Sequence, residues 1–325
     1  MELYKYIANN KDIIKGLFYN NKIRFTQPWA LNDPLEFNPI ITTNNVDDIY
    51  SHYDFDGVDL YSLVQFYRLG MIEPFINKFG ILSLTENSES FDMWNIYANG
   101  HKGFCLGFKD NFMQHPYLIN KNNHSYKLEK VNYVDDFSIN INELGDENTP
   151  IDKEALFQKL FFNKSSRWCH ENESRIVRPL SDSNDYIGPI SEHVHRDERL
   201  YLFEFSLDWI DSIAFGAHMS YENKKCILDA CEQSEIIFFQ AYIIRNIEDE
   251  NGRMGKVEYF KIGKANGKNA NEIIPTWEPY HFCQDKEEWK LRTNKKRIKS
   301  LSELPYFKGN ESKVMSQYYK AKNHF

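Results

Sequence analysis

The 325-residue sequence contains no apolar run of about 18 residues, so no helix is expected to cross a membrane. Its first six residues lack the basic-then-apolar pattern of a signal peptide. Cysteine is scarce: five residues, odd in number and irregular in spacing, argue against a disulfide framework. Cys226 and Cys231 lie close together, but no second pair follows at metal spacing, so no zinc site is expected. His193 and His195 also lack neighbouring ligands, and no metal is expected anywhere. No Gly-x-Gly-x-x-Gly loop follows a strand, which argues against a Rossmann-type dinucleotide site. These absences predict a cytoplasmic protein with no membrane partner.

What the chain does have is aromatic bulk. Aromatics make up 15% of the residues, and with Leu, Ile and Val they suffice for a sizeable core. The net charge of −8 conceals an asymmetry. Residues 285–325 carry 11 Lys/Arg against 5 Asp/Glu, a charge of +6, which leaves −14 for the rest. The basic cluster from Lys290 to Lys299 offers a surface for a partner protein or for nucleic-acid phosphates. Docking on the acidic body is the plainer use of it.

The opening residues read strand (Leu3–Ile7), helix (Asp12–Asn20), strand (Ile23–Thr26). A turn-rich loop follows, because Pro28, Asn32, Asp33 and Pro34 break regular structure. Residues 46–79 read as a helical insertion with Leu60, Leu63, Val64 and Tyr67 on one stripe. Strand Ile81–Thr85 precedes a helix over Ser90–Asn99, which Gly100 and Gly103 end. Strand Phe104–Phe108, a polar stretch over 110–150 with one strand near Lys130–Val134, and helix Asp152–Asn163 come next. Strands Leu200–Leu207 and Ile213–Phe215, helix Tyr221–Glu232 and strand Ile236–Tyr242 complete the body. Strands and helices alternate early and strands cluster later, which predicts an α+β domain over residues 1–245 and an extension over 246–325.

The most informative segment is Glu171-Asn172-Glu173-Ser174-Arg175. Read as part of a strand over 168–178, it sets Glu171, Glu173 and Arg175 on one face. Two like charges on one face cost free energy unless a partner or a function compensates. Arg175 is a candidate partner, and a solvated strand face is the plainer reading. Carboxylates two residues apart on a strand lie about 6–7 Å apart at Cα, weak grounds on their own for glycoside-type hydrolysis.

Several short stretches, in order, carry a resemblance. They are Leu3–Tyr6, Asn32–Glu36, Leu82–Thr85, Met93–Ala98 with His101–Gly103, Trp168, Glu171-x-Glu173-x-Arg175 and Ile213–Gly216. In these the chain resembles the bacterial family catalogued as domain of unknown function 2971, over roughly residues 1–245. A weaker resemblance is to ADP-ribosyltransferases. Those enzymes use a His or Arg on a first strand, a Ser-Thr-Ser strand followed by a helix, and a last strand with Glu-x-Glu. It implies a mixed, mainly antiparallel β-sheet core with flanking helices, and NAD as substrate. It implies Glu173 and Glu171 as catalytic residues, and Lys5, Tyr6, Ser83, Thr85, Tyr97 and Arg175 as NAD-binding. Lys5 departs from the pattern, since an ammonium is a point charge without arginine's fork.

The implied chemistry suits these residue types. Breaking the ribose–nicotinamide bond builds oxocarbenium character, which Glu173 would stabilise electrostatically. Glu171 would orient or deprotonate the acceptor, and Ser83 would hydrogen-bond Glu173. The expected activity is ADP-ribosyl transfer to a protein or nucleic-acid target, as in a toxin or phage-defence effector. The alternative is a binding protein that keeps the fold without the chemistry. Trp94, Tyr97 and Trp168 read first as core, Asp33 as a turn, and His101 as a favourable charge at a helix end.

Overall fold

The computed structural model describes residues 2–33, 35–42, 68–119, 126–140, 152–183, 185–189, 198–248, 254–265 and 282–283. They form a mixed α+β protein with a large, mainly antiparallel sheet and several helices. The strands are β1 (Leu3–Ile7), β2 (Lys22–Arg24), β3 (Ile40–Thr42), β4 (Phe79–Thr85), β5 (Phe104–Phe108), β6 (Leu128–Lys130), β7 (Asn132–Val134) and β8 (Ser138–Asn140). They continue as β9 (Asn163–Ser165), β10 (Glu173–Pro179), β11 (Asp185–Ile187), β12 (Leu200–Glu204), β13 (Ile210–Phe215), β14 (Ile237–Glu248), β15 (Met254–Gly263) and β16 (Phe282–Cys283). The α-helices are α1 (Lys11–Phe18), α2 (Glu73–Ile76), α3 (Phe91–Ile96), α4 (Lys153–Phe162) and α5 (Tyr221–Ala230).

Two compact units share the chain. The first takes Met1–Lys5, Lys15–Ser88 and Gly107–Ile210; the second takes Tyr6–Ile14, Glu89–Leu106 and Asp211–Phe325.

In the first unit β4 is flanked on both edges. Thr85 pairs with Tyr4 of β1 on one side and with Glu173 of β10 on the other, both antiparallel. Along β10 Arg175 lies opposite Ser83, and β6 pairs with the far edge of β10. Helix α4 starts where Asp152 Oδ1 accepts from the amides of Glu154 and Ala155 at 3.0 and 3.1 Å. It buries Leu156, Leu160, Phe161 and Phe162 with Ile72, Ile81 and Val177. This apolar layer backs the sheet where the charged residues described below emerge. A smaller antiparallel sheet runs β11-β12-β2, and β3·β8 and β7·β9 form short parallel pairs.

In the second unit β13 and β14 are parallel, joined through α5, whose first turn is capped by Ser220. β14 continues past residue 245 and pairs antiparallel with β15, a hairpin that follows the strand expected at 236–242. Helix α3 begins where Ser90 Oγ accepts from the Met93 amide at 3.3 Å.

Most of the expected insertion, residues 43–67, lies outside the described residues, as does the basic cluster Lys290–Lys299. The polar stretch expected to hold one strand holds three, β6, β7 and β8. Among the described residues no helix is long and apolar enough to cross a membrane.

Candidate functional site

The strand expected over 168–178 begins later. Ser166–Glu171 is a 3-10 helix, Asn172 is left-handed at φ 43° and ψ 51°, and β10 starts at Glu173. Asparagine tolerates this conformation better than most side chains, so it is the natural place for the chain to turn. Glu171 therefore does not share a strand face with Glu173, and the alternation expected for the pair fails. The two carboxylates still converge, because the turn brings them to one ammonium. Lys164 Nζ, on β9, donates to Glu171 Oε2 at 2.6 Å and to Glu173 Oε2 at 2.9 Å. It also lies 3.9 Å from Glu36 Oε2 and 5.4 Å from the centre of the Trp168 ring.

Arg175 completes the cluster. Its Nε and Nη2 grip Glu173 bidentately at 2.7 and 3.0 Å, Nη1 donates to Phe161 O at 2.8 Å, and Nη2 also bonds Glu36. All five charged side chains are buried, from 0% exposure for Arg175 to 8% for Glu36. Despite burial, Arg175 and then Lys164 hold Glu173 down to about 2. Burial pushes Glu36 up from the usual carboxylate range, against the pull of Arg175. Lys164 is raised: its carboxylate neighbours, Glu173 foremost, outweigh burial. Three carboxylates against two cations leave one negative charge among these five, and the Lys5 ammonium lies within reach of Glu173.

The turn carrying Glu171 is fixed by its neighbours. Thr85 Oγ1 donates to Glu171 O at 2.5 Å and accepts from the Asn87 amide at 2.9 Å. The Glu173 amide donates to the Tyr133 hydroxyl at 2.8 Å. Thr85, expected at the cofactor, thus fixes the turn that carries Glu171. Asp33 accepts from the Leu35 amide at 2.9 Å, the turn expected of it, and with its other oxygen accepts from Trp168 Nε1 at 2.7 Å.

Lys5 and Ser83 both reach towards Glu173. Lys5 Nζ donates to Ser83 O at 3.1 Å, and the Ser83 side chain hydrogen-bonds Glu173. Burial draws Lys5 down to about 8, opposed by Glu173 and assisted by Arg24. Lys5, Ser83, Thr85, Glu171, Glu173 and Arg175 are thereby brought together within the first unit. Glu36 and Lys164 join them directly. Glu36 stood in the turn-rich loop and in a stretch of the family resemblance, and Lys164 carried no motif.

Tyr6 and Tyr97 belong to the second unit. Tyr6 is buried, edge-on to Trp94 with ring centres 5.2 Å apart, and burial raises its hydroxyl well above the usual range. Tyr97 is half-buried at the C-terminal cap of α3. The residue that sequence reading undervalued here is His101. It is buried, left-handed at φ 62°, and both ring nitrogens lack a hydrogen-bond partner among the described residues. Its ring lies 4.7 Å from Phe91 and parallel to Trp94 at 6.1 Å. Burial and then His218 push its pKa down to about 4, so it is neutral and does not serve as a positive charge at a helix end. The backbone around it is close-packed. A Cβ on Gly103 would meet Ile7 O at 2.0 Å, and one on Gly216 would meet His101 O at 2.2 Å.

Among the described residues no group of three His, Cys, Asp or Glu side chains is placed to share a metal ion. A family model described as "Protein of unknown function (DUF2971)" matches residues 93–176. The chain is similar to that family over this stretch. The matched stretch runs from α3 through His101 and Lys164 to both glutamates and Arg175, so it spans parts of both clusters. No curated protein and no solved structure matches the chain. The ADP-ribosyltransferase resemblance draws no support from these comparisons.

Proposed function

We propose that the protein consumes NAD, transferring ADP-ribose to a protein or nucleic-acid target from a site built on Glu173. One observation carries this reading: Lys5, Ser83 and Glu173, from three neighbouring strands, converge on one another. The bond between ribose C1′ and the nicotinamide nitrogen breaks, its electron pair neutralises the pyridinium, and C1′ becomes cationic. A carboxylate held near pKa 2 is a poor base but a permanent anion, suited to facing that cation. Arg175 and Lys164 position it. The acceptor then attacks C1′ and gives up its proton, with Glu171 on the turn beside Glu173 as the orienting group.

Glu173→Gln should fold, by circular dichroism at the assay temperature, and lower nicotinamide release at least about 100-fold. Wild-type turnover in a folded variant would remove Glu173 from the reaction.

A second reading, a binding protein without the chemistry, is favoured by one specific observation. Both glutamates already spend their charge on Lys164 and Arg175. Purified protein with labelled NAD and cell extract separates the two. Label on macromolecules or free nicotinamide supports catalysis. Neither of these, with no stabilisation by NAD, supports the binding protein; a ligand at 100 times its dissociation constant stabilises by about 2.7 kcal/mol.

A further inference from the structure

Two arginines of the first unit sit in opposite circumstances. Arg175 uses the Nε–Nη2 edge of its guanidinium to hold Glu173. Arg24, the last residue of β2, has the same two atoms buried and without a hydrogen-bond partner among the described residues. Burial lowers its pKa, and no described carboxylate offsets that cost. A buried charged donor left unsatisfied is expensive, so an acceptor is expected to supply the missing bonds.

The backbone shows where that acceptor would sit. Thr26 and Ile81 exchange both amide–carbonyl bonds at 2.8 Å in an antiparallel bridge. Extending that register by two residues carries Arg24 towards Ser83. Ser83 is where Lys5, on β1, delivers its ammonium. β1 and the residues following β2 both approach the edge of β4 that β10 does not occupy, so cations from two segments approach the same stretch of that strand. They are close enough for Arg24 to help lower Lys5. Two cations brought together out of water repel one another, and Glu173 acts on Lys5 but does not offset the burial of Arg24, so a multivalent anion between them would be stabilising.

We propose that Arg24 and Lys5 are the two arms of an anion clamp for a diphosphate-bearing ligand. Arg24 grips one phosphate through its Nε–Nη2 fork and Lys5 neutralises the other as a point charge. Only the identity of that ligand as NAD rests on the function proposed above. The clamp also answers the departure at Lys5: the fork missing from β1 is supplied by β2.

The test uses the full chain with inorganic pyrophosphate as probe, by calorimetry and by melting midpoint. Wild-type protein should bind it one to one. Arg24→Gln should bind at least about tenfold more weakly, because a charge-assisted bidentate pair is lost. Arg24→Lys should fall between, since charge returns without the fork. Without ligand, Arg24→Gln should melt no lower than wild type, because it removes an unsatisfied buried cation. The clamp is overturned if wild type does not bind pyrophosphate, or if Arg24→Gln binds it equally well. It is also overturned if Arg24→Gln melts well below wild type or fails to fold, which would mean that Arg24 holds the protein together. Pyrophosphate binding without nicotinamide release keeps the clamp and removes the NAD reading. Nicotinamide release with unchanged pyrophosphate affinity in Arg24→Gln does the reverse.

Discussion

In one cluster of the first unit five ionisable side chains are buried and keep their partners; in one cluster of the second a buried imidazole gives up its charge. Glu36, Glu171 and Glu173 are held by Lys164 and Arg175 through short, directed bonds. His101 sits among Phe91, Trp94 and His218 with neither ring nitrogen bonded among the described residues. Pairing preserves charge at a fixed point, which a reaction that develops charge needs. Neutralisation removes charge, which favours packing. The difference places the candidate chemistry with the glutamates and leaves His101 to shape the backbone around Gly103 and Gly216.

Breaking the paired cluster should have the largest effect. Lys164→Met leaves Glu171 without this buried ion pair and Glu173 with only Arg175, and should cost about 3–5 kcal/mol in urea unfolding. A loss under about 1 kcal/mol would show that water already screens the cluster.

Acid sharpens the comparison, because the two clusters respond in different ranges. His101 has a folded-state pKa of about 4 against 6.5 for the free side chain. Between those values the unfolded chain binds the extra proton, so stability falls as the pH falls from 6.5 to 4. At pH 5 the loss relative to pH 7 should be roughly 2 kcal/mol, and His101→Phe should abolish it. Glu173 acts lower: its contribution is complete above 4.5 and is lost as the pH falls towards 2. An unchanged upper limb in His101→Phe would mean that His101 finds a partner when protonated.

The smallest effect concerns the turn that joins the glutamates. Thr85→Val keeps the shape and removes the hydroxyl between Glu171 O and the Asn87 amide, at a cost of about 1 kcal/mol. Any fall in nicotinamide release beyond that expected from stability would show that the turn positions Glu171.

Much of the secondary structure was legible because its signals are local. β1 and β5 fall where alternation and apolar runs put them, and α3 and α4 start at Ser90 and Asp152, side chains that cap. Spacing alone did not bring Ser83 to Glu173; only the resemblance implied that bond, and it did not imply that Lys5 would lie beside them. What was not legible depends on pairing between distant segments. Lys164 stands in Asn163–Ser165, with nothing nearby to mark it, and becomes central only when the turn at Asn172 aims both carboxylates at it. Arg24 looks like any strand-end arginine until the Thr26–Ile81 bridge brings the end of β2 towards β4. The segment holding Glu171 was misread because Glu-x-Glu-x-Arg alternates like a strand while Asn172 bends it.

The interleaving of the two units has a consequence in time. The second unit draws on Tyr6–Ile14, on Glu89–Leu106 and on everything from Asp211 onward. On a ribosome adding about 5–20 residues per second, its last piece begins on the order of 10–40 s after its first is made. Tyr6, Ile7 and Ile14, all buried in the finished protein, must be kept from other company for that interval. Synthesis of this chain should therefore depend on chaperone supply more than its size alone suggests, and slowing translation before residue 211 should lower the yield of folded protein.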